Sequence, residues 1–169
     1  TGAQTPIASL GGNCQGMSLD GLGNLYVVNE SLSRIQKVNL STGVVTNVVT
    51  GLNKPNDVAF ENSNILLISL YNLGRIIRYN LTTNSNTVLS IGHNKPTDIF
   101  NEGNGSILVA ENGGALSRVN LTTGVRTLLV NLGGWPHGIA KDATGNVYVS
   151  LYSSHQIKKV SPANVVLAT

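Results

Sequence analysis

The sequence predicts an all-β protein built from four tandem copies of one four-stranded unit. Three observations predict it. Pro55, Pro96 and Pro136 stand 41 and 40 residues apart in similar surroundings, Asn53-Lys54-Pro55-Asn56-Asp57-Val58, Asn94-Lys95-Pro96-Thr97-Asp98-Ile99 and Gly134-Trp135-Pro136-His137-Gly138-Ile139. A second marker, Asn39, Asn80, Asn120 and Ser161, keeps spacings of 41, 40 and 41. Finally, every copy carries the same succession of short apolar runs and polar turns, with no helical period of useful length.

The elements follow one another in each copy. A first strand follows the Pro position, as in Val58-Ala59-Phe60, and Cys14 holds that position in the first copy. A polar turn comes next, Asp20-Gly21-Leu22-Gly23-Asn24 or Asp142-Ala143-Thr144-Gly145-Asn146. Continuous apolar runs read as buried second strands: Leu25–Val28, Ile65–Ile68, Ile107–Ala110 and Val147–Val149. Third strands alternate, as in Arg34–Val38 and Gln156–Val160, so one face meets water. The turn Asn39–Gly43, echoed at Asn120–Gly124, offers Gly where a positive φ is needed. Fourth strands follow at Val44–Val49 and Val125–Val130.

Four strands in a repeat of about 41 residues is the arithmetic of a β-propeller. The repeats fall at 13–52, 53–93, 94–134 and 135–169, preceded by an extra outer strand at 1–12. That segment aligns without a gap to 123–134, so it reads as a fourth strand whose own first three are missing. Such a strand commonly completes the last blade of a ring. Val58, Ile99, Ile139, Val27, Leu67, Val109 and Val149 are the expected core between blades.

Composition narrows the function. Only 11% of residues are charged, against roughly a quarter in an average soluble domain, and 41% are hydrophobic, which excludes a disordered chain. The net charge of +3 is scattered singly and aromatics are 5%, so a nucleic-acid platform is excluded. No apolar stretch approaches the ~20 residues of a membrane-spanning helix. Thr1 in place of Met points to a processed or partial chain. Sequons at Asn29, Asn39, Asn80, Asn104 and Asn120 admit secretion, although three share one repeat position and read as a copied turn. Cys14 reads as a small packed residue, and the third-strand Lys37, Arg78, Arg118 and Lys159 read as a solvated face.

The repeat resembles the NHL-type blade. Pro136-His137-Gly138-Ile139-Ala140, Asp142, Gly145-Asn146-Val147-Tyr148-Val149 and Gln156-Ile157-Lys158-Lys159-Val160 carry the resemblance most fully. Streptogramin lyases and gluconolactonase-like propellers are similar at this level. The resemblance implies six or seven blades around an axis, and a ligand at one end of the central channel. There the loops entering the first strand bring Gln15, Asn56, Thr97 and His137, followed by Gly16, Asp57, Asp98 and Gly138. The exit of the second strand, counted back from Ile35, Ile76, Leu116 and Ile157, gives Glu30, Tyr71, Glu111 and Tyr152.

These positions vary over a repeating frame, which suits a recognition module for a protein, peptide or glycan partner. Its binding residues are then Gln15, Asn56, Thr97, His137, Glu30, Tyr71 and Tyr152. The alternative is a metal-dependent lyase or lactonase at the channel mouth. Resemblance to the lyase implies a catalytic His and Glu, matched by His137 and Glu111, with a divalent metal and a second His near them. His93 lies in the loop before Asn94 and His155 in the loop before a third strand. The lactonase pattern implies a metal cluster of Asn56 with Asp57 or Asp98 and Glu30 or Glu111, whose oxygens suit Ca²⁺ or Mg²⁺. Asp57 and Asp98 also read as residues that bond loop backbone. Four blades alone require steep wedging, so a homodimer closing one eight-bladed ring is expected.

Overall fold

A computed structural model describes residues 2–167 of the chain. Blade 1 comprises β1 (Cys14–Leu19), β2 (Asn24–Asn29), β3 (Arg34–Asn39) and β4 (Val45–Val49). Blade 2 comprises β5 (Pro55–Asn62), β6 (Ile65–Leu70), β7 (Arg75–Asn80) and β8 (Ser85–Ile91). Blade 3 comprises β9 (Pro96–Asn101), β10 (Ser106–Glu111), β11 (Ala115–Asn120) and β12 (Arg126–Asn131). Blade 4 comprises β13 (Pro136–Lys141), β14 (Val147–Leu151), β15 (Gln156–Val160) and β16 (Val166–Leu167). Each blade is an antiparallel sheet in sequential strand order, and the four make a four-bladed β-propeller arrangement.

The turns are held by the side chains that make them. Asn39, Asn80 and Asn120 each accept two backbone N–H bonds from the residues that follow, Asn120 from Thr122 at 2.8 Å and Thr123 at 2.9 Å. Asp20 and Asp142 do the same between β1 and β2 and between β13 and β14. The side chain mimics a backbone turn, so the connection is fixed locally.

The core lies between blades. Val58, Leu67, Ile99, Val109 and Val149 are buried in clusters that join adjacent blades, Ile139 is half-buried against the cluster joining blades 3 and 4, and Val27 is buried outside those clusters. Each apolar cluster combines one face of a blade with the opposite face of the next. The end faces have no such neighbour. Ile35, Ile76 and Leu116 are 0% exposed, whereas Ile157, their equivalent in blade 4, is 66% exposed. Met17, equivalent to Val58 at 2%, is 59% exposed.

Three expectations need correction. Cys14 is exposed, because the face that packs around Pro55, Pro96 and Pro136 is uncovered in blade 1. Residues 2–12 form no strand, although Asn29 Nδ2 holds the Leu10 carbonyl at 3.3 Å. Among the described residues no strand pairs with the segment, and Thr1 lies outside them. Arg78 and Arg118 are not merely solvated. Arg78 makes a two-pronged ion pair with Glu61 (2.5 and 2.7 Å), and Arg118 pairs with the fully buried Glu102 side chain at 2.6 Å.

Candidate binding site at the channel mouth

Bulges place the site. In blade 1, Cys14 pairs with Asn29 and Met17 with Val27, so Gln15 and Gly16 together oppose Val28 alone. The same irregularity lies between Pro55 and Val58 and between Pro136 and Ile139. An extra residue bends the strand and re-aims its side chains. Here it turns Gln15, Asn56 and His137 out of the sheet, and together with Thr97 they line one cavity of about 240 Å³ at the end of the channel.

Glu30, Tyr71 and Tyr152 complete the cavity from the second-strand exits, together with Lys54, Asn112 and Trp135. Gln15 Nε2 donates to Glu30 at 3.0 Å, and Lys54 pairs with the other oxygen of Glu30 at 3.4 Å. Lys54 and Lys95 bring their ammonium groups to 4.8 and 5.7 Å from the Tyr71 ring centre, a cation–π arrangement. Opposite them, the Trp135 and Tyr152 rings are parallel within 1°, with centres 6.0 Å apart. The Tyr152 N–H donates to the Trp135 carbonyl at 2.9 Å, which ties the two loops together. Trp135 is 49% and Tyr152 67% exposed, so the stacked pair stands largely open to solvent. Thr97 is different: its hydroxyl is engaged by the Ala110 and Pro136 carbonyls at 3.0 and 2.9 Å.

Glu111 does not reach the mouth. The loop after β10 has three residues, 112–114, where the other blades have four, so Asn112 takes the place corresponding to Glu30, Tyr71 and Tyr152. Counting back from Leu116 therefore lands one residue early, on the position of Asn29, Leu70 and Leu151. There Glu111 is fully buried. It accepts from Ser117 Oγ (2.6 Å), Arg126 Nε (2.8 Å) and the Asn94 N–H (2.7 Å), and lies 3.1 Å from His93 Nδ1. Burial pushes the carboxyl up, but the bonds from His93, Ser117, Asn94 and Arg126 outweigh it and bring the pKa down to about 2. His137 and Glu111 thus belong to different places. His155 lines a neighbouring depression that shares His137 and Tyr152 with the mouth.

Asp57 and Asp98 stitch blades together below the mouth. Asp57 Oδ2 accepts from the Ile99 N–H at 2.8 Å, and Asp98 Oδ2 from the Ile139 N–H at 2.6 Å. The two carboxyl groups also bond each other. Burial, and for Asp57 the charge of Asp98, raise the pKa of both. Gly16 precedes this pair in the first copy because a Cβ there would strike the Asp57 carboxylate. This donor set does not fit the metal cluster implied by the lactonase pattern. Each aspartate commits an oxygen to backbone, Glu30 is paired with Lys54 and Gln15, and Glu111 is buried elsewhere. Among the described residues no three His, Cys, Asp or Glu side chains converge as ligands.

Sequence reasoning missed Lys54 and Asn112, and Trp135 joins them in lining the cavity. The signal for two of them is the residue ahead of each loop proline, Lys54, Lys95 and Trp135, which differs in the copy that carries His137.

Fold and mouth together define a β-propeller with a small aromatic and polar cavity where its blades converge. Solved structures share the fold. A propeller chain of the nidogen/laminin complex is 17% identical with a TM-score of 0.76, over 89% of this chain and 61% of that one. Virginiamycin B lyase from Staphylococcus aureus is 13% identical with a TM-score of 0.75, over 91% and 54%. A gluconolactonase-like structure is 14% identical with a TM-score of 0.76, over 86% and 58%. The chain therefore spans little more than half the length of these propellers. No protein-family model and no curated protein matches the sequence.

Proposed function

We propose that the protein is a recognition module that binds a protein, peptide or glycan partner through the loops at the channel mouth. The observation that carries this reading is the open Trp135–Tyr152 face beside a cavity whose one carboxylate, Glu30, is already neutralised by Lys54. Exposed aromatic surface ringed by satisfied polar groups is the pattern of binding surfaces. The fold itself serves both kinds of protein, since its neighbours include a chain of the nidogen/laminin complex and a lyase. The lyase or lactonase alternative requires His137 and Glu111 to act together, and the burial of Glu111 away from the cavity speaks against it. Metal analysis of the protein and of the His137→Ala and Glu111→Ala variants tests the choice. A stoichiometric metal lost in both variants overturns the recognition reading. Partner capture that disappears in Tyr152→Ala supports it.

A second observation favours association of two copies. Ile157 and Met17 are the two halves of an interface that the chain makes three times within itself, and both are open. The second copy is the partner that presents both halves. Light scattering tests this: a mass of twice 17.7 kDa is expected, and a monodisperse 17.7 kDa species overturns it.

A further inference from the structure

We infer that the channel mouth takes a single pyranose unit of a glycan, seated on the Trp135–Tyr152 face; the inference rests on the recognition reading above and names its ligand class. Four properties of the cavity point to a sugar. First, it is small. At about 240 Å³ it lies below the roughly 300–1,000 Å³ of pockets that enclose larger organic ligands, and its size suits one ring.

Second, its apolar part is flat. The Trp135 and Tyr152 rings stack parallel within 1°, and the largely exposed pair offers an aromatic ring face at the mouth. A pyranose presents a matching surface, a flat patch of axial C–H groups with slight positive charge.

Third, the polar groups around that floor are of the right kind. Gln15, Asn56 and Asn112 carry amides, each of which donates and accepts. Sugar hydroxyls also do both, so each can be matched by an amide without a change of charge. Asn56 is buried at the bottom of the cavity, its position fixed by the bulge of β5.

Fourth, the charge lining the cavity is balanced. Glu30 and Lys54 face each other across 3.4 Å, and Gln15 fills the remaining oxygen of Glu30. The ammonium and carboxylate remain available as oriented hydrogen-bonding groups, and neither selects strongly for an ion.

The sequence provides the probe, because Trp135 is the only tryptophan of the chain. Its emission therefore reports on the mouth alone. The whole chain is titrated with the methyl pyranosides of glucose, galactose, mannose and N-acetylglucosamine and with their α- and β-linked disaccharides. At least one should give a saturable shift in Trp135 emission. Titration calorimetry with that sugar should show the association constant reduced tenfold or more in Tyr152→Ala, an exposed position where folding is preserved. Thr122→Ala, remote from the mouth, should bind as the parent does. Sugar binding unchanged in Tyr152→Ala overturns the assigned seat. If no sugar shifts Trp135 but members of a peptide array bind in a Tyr152-dependent way, the saccharide inference falls and the recognition reading stands. If neither sugars nor peptides bind, both fall.

Discussion

His93 Nδ1 lies 3.1 Å from Glu111 Oε1, with both side chains fully buried, where the other blade junctions pack leucine on leucine. Leu52 and Leu70 occupy these places between blades 1 and 2, and Leu132 and Leu151 between blades 3 and 4. A third member changes with them: Ser90, 3.1 Å from His93 Nε2, stands where Val49 and Val130 stand elsewhere. One junction of three has exchanged an apolar triad for a hydrogen-bonded one. The exchange works because every polar atom finds a partner.

Removing Glu111 alone should therefore cost more than replacing the whole triad, because the triple replacement leaves no unpaired His93. Glu111→Leu alone leaves His93 and Arg126 without their acceptor and should destabilise the protein by about 2–4 kcal/mol. Glu111→Leu combined with His93→Leu and Ser90→Val restores the apolar triad and should recover the part of the loss due to His93, while Ser117, Arg126 and the Asn94 N–H still lack their acceptor. Urea denaturation of the single and triple variants measures it, and a triple variant no more stable than the single one contradicts the account.

The same junction fixes a pH dependence. Glu111 is held at about 2 in the fold, below its ordinary 4.5, so the unfolded chain takes up its proton first. Its stabilising contribution is complete above about 4.5 and is lost as pH falls towards 2. Glu102, lowered to about 2 by Arg118 and Lys141 against the opposing effect of burial, adds a loss in the same window. Thermal unfolding between pH 5 and 2 should show a falling Tm, with a shallower slope in Glu111→Gln.

Asp57 and Asp98 act with the opposite sign. Their pKa values are raised, so the folded state holds a proton more tightly than the unfolded chain does. Stability from this pair is present below the ordinary carboxyl value of 3.8 and is lost as pH rises through the folded values. Asp57→Asn keeps an oxygen for the Ile99 N–H and removes one charge of the pair. It should raise the Tm at pH 7 relative to the parent, and a lower Tm at pH 7 would show that the carboxylate is needed ionised.

Equivalent residues at inner and end faces should differ. Ile76→Asp and Val149→Asp place a charge in a closed junction and should cost at least about 3 kcal/mol. Ile157→Asp, on the open face, should change the stability of the single chain by less than about 0.5 kcal/mol. Differential scanning calorimetry at low concentration separates the cases. Loss of the two-copy species in Ile157→Asp alone would tie that face to association.

Sequence alone determined the repeat, the four strands of each blade and the residues that pack between blades. These are written in periodicity: a Pro every 41 or 40 residues, a buried second strand and turns made by Asn or Asp. It also brought Gln15, Asn56 and His137 to one end, because equivalent positions in a repeat lie at equal height around an axis. Tertiary structure decided what counting could not. A loop one residue shorter moved Glu111 from the mouth into a junction and put Asn112 in its place, and no local signal in Val109-Ala110-Glu111 distinguishes the two. The Trp135–Tyr152 face, the Glu30–Lys54 pair and the Asp57–Asp98 bridge join residues 17, 24 and 41 positions apart. Their distances depend on bulges and on how blades pack, so they exist only once the blades are assembled.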